Sequence, residues 1–302
     1  MKYFLALALG FCTSIQAHAQ TLNSESISLL KQKEDSLKPL SWQILQGITP
    51  ENRFMADSQF TRIFVRALTV KNSFHFAFDS LQTISKIYPS DSSFRIFTWQ
   101  LPVNENLVRQ HGAIQINTKD GSLVLFPLID KSDVTNNPAD TIANNFGWMG
   151  AVYYKMIEKK YKGTTYYTLL GYDENNIRST KKVVEVLYFE DGKPTFGGNF
   201  FSIPNNNAVP DNPARYIIEF KKDASPRLNY DPEMDMIVME HLVSESNQPQ
   251  KKWTLIPDGD YEALKWRNGK WVYINKIFNQ VTPEGKAPVP APYNESKLKN
   301  NP

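Results

Sequence analysis

Apolar residues recur along this chain in two rhythms. Up to about residue 70 the spacing is helical: Ile27, Leu30 and Leu37 follow a possible cap at Ser24, and Pro39 is expected to close that segment. Thr49, Pro50 and Glu51 then read as an N-cap, a proline at the first helical position and an early acid. Phe60, Ile63, Phe64, Ala67 and Leu68 lay one apolar stripe along the next helix. The pattern predicts a helical arm packed on the rest of the protein.

From about residue 74 the period falls to two, beginning with Phe74, Phe76 and Phe78. Strands are expected near 84–88, 94–101, 112–118, 122–129, 150–158, 165–172, 182–189, 195–201, 215–221, 235–243, 260–266 and 271–278. Turn chemistry separates them at Pro89-Ser90-Asp91, Asp120-Gly121, Asp173-Glu174-Asn175-Asn176, Asp191-Gly192, Asn205-Asn206-Asn207 and Asn268-Gly269. These segments lie too close together for crossover helices, so the sheets should be antiparallel. The fold class is therefore mainly β: a sandwich or open barrel with an N-terminal helical arm. A small β-propeller is the alternative, suggested by "KIYPSDSSFRIFTW" but opposed by the lack of a regular repeat. The organisation expected is a signal peptide over 1–19, the arm over 20–73, the β domain over 74–281 and a disordered, proline-rich tail over 282–302.

The first nineteen residues carry the export reading. Lys2 supplies the positive region, Phe4 to Phe11 the apolar core, and Ala17-His18-Ala19 a small-x-small cleavage site after Ala19. The apolar run is too short to span a bilayer, so a protein exported to the periplasm or the exterior, without a transmembrane segment, is expected. Lipidation at Cys12 is a rival, weakened by the bulky Phe11 before it. Cleavage would remove the one cysteine, leaving no disulfide, no thiolate nucleophile and no cysteine-bound metal. It also lowers the formal net charge from +3 to +2 by the loss of Lys2, and the remaining charges are interspersed. Without a basic stripe no nucleic-acid partner is expected.

Several segments carry a resemblance. "SSFRIFTWQL", "HGAIQINT" with "LVLFPLID", "WMGAVYYKMI", "YYTLLGYDENN", "KKVVEVLYFEDGKPTFG", "RYIIEF" with "LNYDPEMDMIVMEHL", and "IPDGDYEALKWRNGKWVYINKIF" together resemble a family of secreted, uncharacterised proteins from Bacteroidetes, over about 74–278. The resemblance implies a Gram-negative cell-envelope setting. No catalytic or binding residue comes with it.

Candidate chemistry is sparse. Asp258, Asp260 and Glu262 start like a calcium loop, but Ala263 stands where that loop needs glycine; Asp231, Glu233 and Asp235 fail likewise at Met236. His75, His111 and His241 have no short ligand spacing, and Glu240 and His241 should point to opposite faces of a strand, so neither a metal nor a cofactor is expected. No Gly-x-Ser-x-Gly elbow is present. A carbohydrate-active hydrolase needs paired carboxylates, for which Glu185, Glu219 and Asp260 are the candidates.

Aromatics, 13% of the chain, give the positive signal. In "PDGDYEALKWRNGKWVY" the Asn268-Gly269 step fits a two-residue hairpin turn, which pairs Trp266 with Trp271. Asp260, Glu262 and Leu264 then share a face with these indoles and Tyr273. Trp266, Trp271, Tyr273, Asp260 and Glu262 are accordingly the candidate ligand-binding residues, suited to a glycan through stacking and hydroxyl contacts, if that face meets solvent. The sequence reading is an exported, non-catalytic binding or structural module whose partner is a glycan or an envelope protein. A hydrolase with paired carboxylates and an envelope assembly or scaffold protein are the alternatives.

Overall fold

The computed structural model describes residues 22–204 and 212–278. The expected signal peptide, cleavage site, Cys12 and tail lie outside these residues. The fold is mainly β, with 44% strand and 19% helix.

Helix α1 (Ser24–Gln46) starts one residue earlier than expected, because Asn23 rather than Ser24 is the cap: its side-chain oxygen accepts from the Ser26 amide at 2.7 Å. Nor does Pro39 end it. The proline interrupts the bond to Asp35, but both residues are exposed, so water can reach the freed carbonyl, while Leu37, Ser41 and Ile44 keep the buried stripe in phase across it. Helix α2 (Pro50–Leu68) begins as the sequence predicts, with Thr49 Oγ1 accepting from the Asn52 amide at 3.3 Å.

Three sheets follow. The first holds β1 (Ser85–Ile87), β2 (Phe94–Asn104), β3 (Leu107–Ile116) and β4 (Val124–Ile129) in that order, all antiparallel. The second contains β5 (Ala143–Asn144), β6 (Val152–Tyr161), β7 (Thr164–Asp173), β8 (Ser179–Glu190) and β9 (Lys193–Phe196), ordered β5-β9-β8-β7-β6. After β10 (Phe201–Ser202) the chain returns to this sheet as β11 (Arg215–Lys221), an edge strand paired with β8. The third sheet adds β12 (Leu228–Asp231), β13 (Met236–Ser244), β14 (Leu255–Arg267) and β15 (Lys270–Ile274), with order β10-β15-β14-β13-β12. The pairing of β10 with β15 is parallel, an exception two residues long.

Face-to-face stacking makes four layers: helices, first sheet, second sheet, third sheet. Alternation along β2 explains the first contacts. Phe97, Trp99 and Leu101 pack on the helices with Phe60 and Phe64, whereas Phe94 and Ile96 pack on the second sheet with Tyr153, Leu169 and Val183. In the second sheet Leu170, Val184 and Val186 face the other way, against Ile237, Leu264 and Trp271 of the third. Each large apolar side chain so enclosed contributes about 1.5–3 kcal/mol. The result is a stack of sheets, with no closed barrel among the described residues.

Three details depart from the pattern reading. Residues 74–78 form a short 3-10 turn and extended chain rather than a strand, yet Phe74 and Phe78 are buried because the guanidinium of Arg95 lies between them. That arginine is itself fully buried and binds the carbonyls of Ser73 and Phe76. The expected strand 195–201 is split at Gly197-Gly198 into β9 and β10. His111, just outside the expected strand 112–118, lies inside β3, with its Nδ1 3.0 Å from Asp57, which also accepts from Trp99 Nε1 and so fastens α2 to the first sheet.

Candidate functional site

A cleft of about 420 Å³ runs along the edge strand β11. Its composition follows from strand register. Across β7, β8 and β11 three rows share one face: Leu169–Glu185–Arg215, Gly171–Val183–Ile217 and Asp173–Lys181–Glu219. Val183, Ile217 and Met149 give the cleft an apolar floor, and the segment after β4, with Ser132, Asn137 and Asp140, forms a wall.

The first row is sealed under that wall. Glu185 and Arg215 are almost fully buried, and Arg215 Nε donates to Glu185 Oε2 at 3.0 Å. The same guanidinium donates to the carbonyls of Pro138 and Thr141, so the ion pair pins the segment that walls the cleft. Tyr153 donates to the other Glu185 oxygen and accepts from Trp148 Nε1. Burial, reinforced by Glu185, pushes the Tyr153 phenol well above its ordinary value, so it stays a donor. Glu185 is thus a buried anchor and does not line the cleft.

The third row lies beyond Val183 and Ile217, away from the Arg215–Glu185 pair. Asp173 is 6% exposed, and its Oδ1 accepts from Gln110 Nε2 at 2.9 Å and from the Asn175 amide at 2.8 Å. Burial raises its carboxyl above the ordinary aspartate value; Lys181 and the Asn175 amide pull it down, and Asp130 adds to the rise. Glu219 Oε1 accepts from Ser179 Oγ and from Asn175 Nδ2 at 3.3 Å. Asn175 therefore ties the two acids together, one through its backbone and one through its side chain.

Around the edge of β11 the cleft continues between Tyr216 and the third sheet. Here a bulge breaks strand alternation: Glu240 pairs with Tyr261 but Leu242 pairs with Pro257, so Asp258-Gly259-Asp260 stands opposite His241 alone. Gly259, at φ 93°, supplies the left-handed residue that this excursion requires. The bulge places Asp258 2.8 Å from His241 Nδ1, and although burial works against it, that bond and the Asp260 amide hold the Asp258 carboxyl below its ordinary range. His241 Nε2 lies 3.7 Å from Glu262. Both Glu240 and His241 line the cleft, contrary to the alternation expected of adjacent strand residues, and the bulge is the reason. Among the described residues no group of three His, Asp or Glu side chains converges to hold a metal ion.

The sequence-predicted residues divide. Trp266 and Trp271 are cross-strand partners with ring centroids 5.4 Å apart, as the hairpin turn predicts. Their face looks toward the second sheet rather than into solvent: Trp271 is fully buried, with Nε1 donating to Thr168 Oγ1 at 2.8 Å, and Trp266 is half-buried beside Tyr166. Glu262 lines the cleft, and Tyr273 is hydrogen-bonded to it, its phenol raised by burial and then by Glu262. Asp260 sits on the bulge, paired with Lys276 at 2.9 Å. Of the hydrolase acids, Glu219 alone reaches the cleft.

Asp173, Lys181, Tyr216 and His241 were not singled out as site residues by the sequence. Asp173 closes an apolar strand and opens an Asp-Glu-Asn-Asn turn, so its type and position matched a solvated turn. Five carboxylates line the cleft (Asp140, Asp173, Glu219, Glu240 and Glu262) against two lysines (Lys181 and Lys252), a formal charge of 2 − 5 = −3 with His241 neutral. The whole chain is +3. Comparison with protein-family models, with curated proteins and with solved structures gives no match.

Proposed function

We propose that this protein is an exported, non-catalytic binding protein of the cell envelope, and that its cleft along β11 captures a small polar ligand such as a glycan fragment. The observation that carries the reading is the cleft itself: an apolar floor of Val183, Ile217 and Met149 beneath a rim rich in acceptors, with its wall fixed by the Arg215–Glu185 pair. An apolar base with a few placed polar groups is the usual build of a ligand pocket. The signal-like N-terminus and the family resemblance support the envelope setting. Replacing Ile217 by Trp fills the floor while keeping the position apolar. Calorimetric titration with envelope glycan fragments should show binding to the natural chain and its loss in the folded Ile217→Trp variant. Equal binding by the two proteins would remove the cleft from consideration.

A hydrolase is the second reading, favoured by one observation: Asp173 is held above its ordinary carboxyl value while Glu219, bound to Ser179 and Asn175, lies in the same row. A desolvated carboxyl beside a second carboxylate is the kind of pair that such hydrolysis uses. In this reading Asp173→Asn and Glu219→Gln abolish glycoside turnover and spare binding. Absence of turnover by the natural chain on glycans that it binds rejects it.

A further inference from the structure

We propose that the open edge of β11 takes up an extended peptide as an added strand, held in the cleft by main-chain hydrogen bonds. This inference rests on the reading of the cleft as a binding site, and it narrows the polar ligand to the backbone of a peptide.

The first observation is the edge itself. Among the described residues β11 pairs with β8 alone. In an antiparallel ladder, hydrogen-bonded and non-hydrogen-bonded pairs alternate. The Lys222 amide donates to the Arg178 carbonyl, toward β8, whereas the Arg215 amide points the other way and donates to the Ala139 carbonyl. By that alternation Ile217 and Glu219, like Arg215, direct their amides and carbonyls away from β8. Those four groups have no backbone partner among the described residues. The wall segment thus takes the edge at Arg215, and from Ile217 to Glu219 the edge stays open.

The second observation is that the cleft wraps around this edge. It is lined by Tyr216, Ile217, Ile218 and Glu219, four consecutive residues. Neighbours along a strand point to opposite faces, so a cavity that touches all four passes round the backbone between them. Val183 and Met149 lie on one side; Leu242 and Leu255 lie on the other. Strand addition uses this arrangement, because the ligand's main chain meets the edge while its alternate side chains enter pockets on either side.

Third, this edge lacks the features that discourage pairing. Strand β6, at the outer end of the same sheet, is broken by a bulge between Tyr153 and Lys155 and carries Lys155, Glu158, Lys159 and Lys160. In β11 the run Tyr216-Ile217-Ile218 is apolar and keeps an unbroken register. The cleft walls, and not the strand, limit what reaches it. The formal charge of −3 on the cleft lining favours peptides that carry lysine or arginine over acidic ones.

The test begins by selecting, on the full chain, from a displayed library of random peptides of about seven residues, slightly more than a typical strand. Enriched peptides should bind the natural chain and fail to bind the folded Ile217→Trp variant. Glu219→Pro removes one outward amide without touching the β8 ladder, so it should bind such a peptide at least about tenfold more weakly than Glu219→Gln, which keeps the amide. Two analogues of the peptide, N-methylated at odd or at even positions, need only the natural chain: one should lose at least about tenfold in affinity and the other should bind as the parent does. No enrichment, equal binding by Glu219→Pro and Glu219→Gln, or analogues that behave alike would each overturn the inference. So would a natural chain that is dimeric and becomes monomeric as Glu219→Pro, since a second copy would then hold the edge. The glycan titration with Ile217→Trp decides separately whether the cleft binds glycans, so failure with peptides leaves that reading standing on its own result.

Discussion

Asp173 shows how little of a residue's role is written in its type. The same aspartate can open a solvated turn or sit desolvated over a cleft, and only the register of β7, β8 and β11 decides which. Its titration offers a direct check. Folding raises its carboxyl value, so the folded chain holds this proton more tightly than the unfolded chain does. The stabilisation that follows is complete below the ordinary value of 3.8 and is lost as pH rises through the folded-state value. The Asp173→Asn variant has no such dependence, while Lys181, Glu219 and Asp130 are common to both proteins. Urea unfolding of Asp173→Asn and the natural chain should therefore show the variant gaining relative stability as pH rises from about 3.5 to about 7, the acid side of neutrality where carboxylates titrate. A difference independent of pH would mean that Asp173 is not desolvated. Glu185 and Glu219 make the converse point. Both interrupt apolar strands and both lie on one face, but the first is locked under Arg215 and the second borders the cleft. No spacing rule separates them, because what covers each acid is a wall segment distant in sequence.

At the scale of elements, the hairpin of β14 and β15 was the most legible part of the chain. A two-residue turn fixes register, and Asn268 and Gly269 take φ values of 51° and 82°, the left-handed pair that such a turn requires. Gly269 is further constrained, since a Cβ there would lie 2.5 Å from the Tyr161 ring. The bulge at 258–260 and the passage of α1 through Pro39 were not legible. Each breaks a local rule, and each is tolerated because residues outside the segment supply the contacts: His241 of the neighbouring strand at the bulge, the α2 stripe beside α1. The hairpin also separates packing from binding. Trp271→Ala should cost about 3–5 kcal/mol, as large aromatic truncations in a core do, and it strands Thr168 Oγ1 as well. Trp266→Ala, at a half-buried position, should cost about 1–2 kcal/mol by the lost area alone. Urea midpoints measure both. If Trp266→Ala instead left stability intact and abolished glycan binding, the indole pair would belong to the ligand site and not to the core.

For the whole molecule, alternation told which residues would be buried but not against what. The mainly β composition, the antiparallel pairing and most strands followed from the periodicity and the turns. The order of the layers did not, because an apolar strand face carries no label for its partner. A partial label exists in β8, where "VVEVL" is buried without a polar interruption other than Glu185, as befits a strand covered on both sides. Val183 and Leu187 enter the core shared with the first sheet, and Val184 and Val186 enter the core shared with the third. Strand β7 does the same through Leu169 and Leu170. To open either strand, two cores must be broken at once, whereas α1 can peel away by losing one. Opening free energies across a protein range from near zero up to the global value, and the highest belong to the elements with the most buried contacts. Native-state hydrogen exchange should accordingly find the slowest amides in β7 and β8, about 100-fold or more slower than those of α1, a gap of about 2.7 kcal/mol. Exchange through α1 at the rate of β8 would contradict this. It would mean that the helical layer and the sheet stack open as one unit, with Phe97 and Trp99 of β2 binding the helices as firmly as the sheets bind each other.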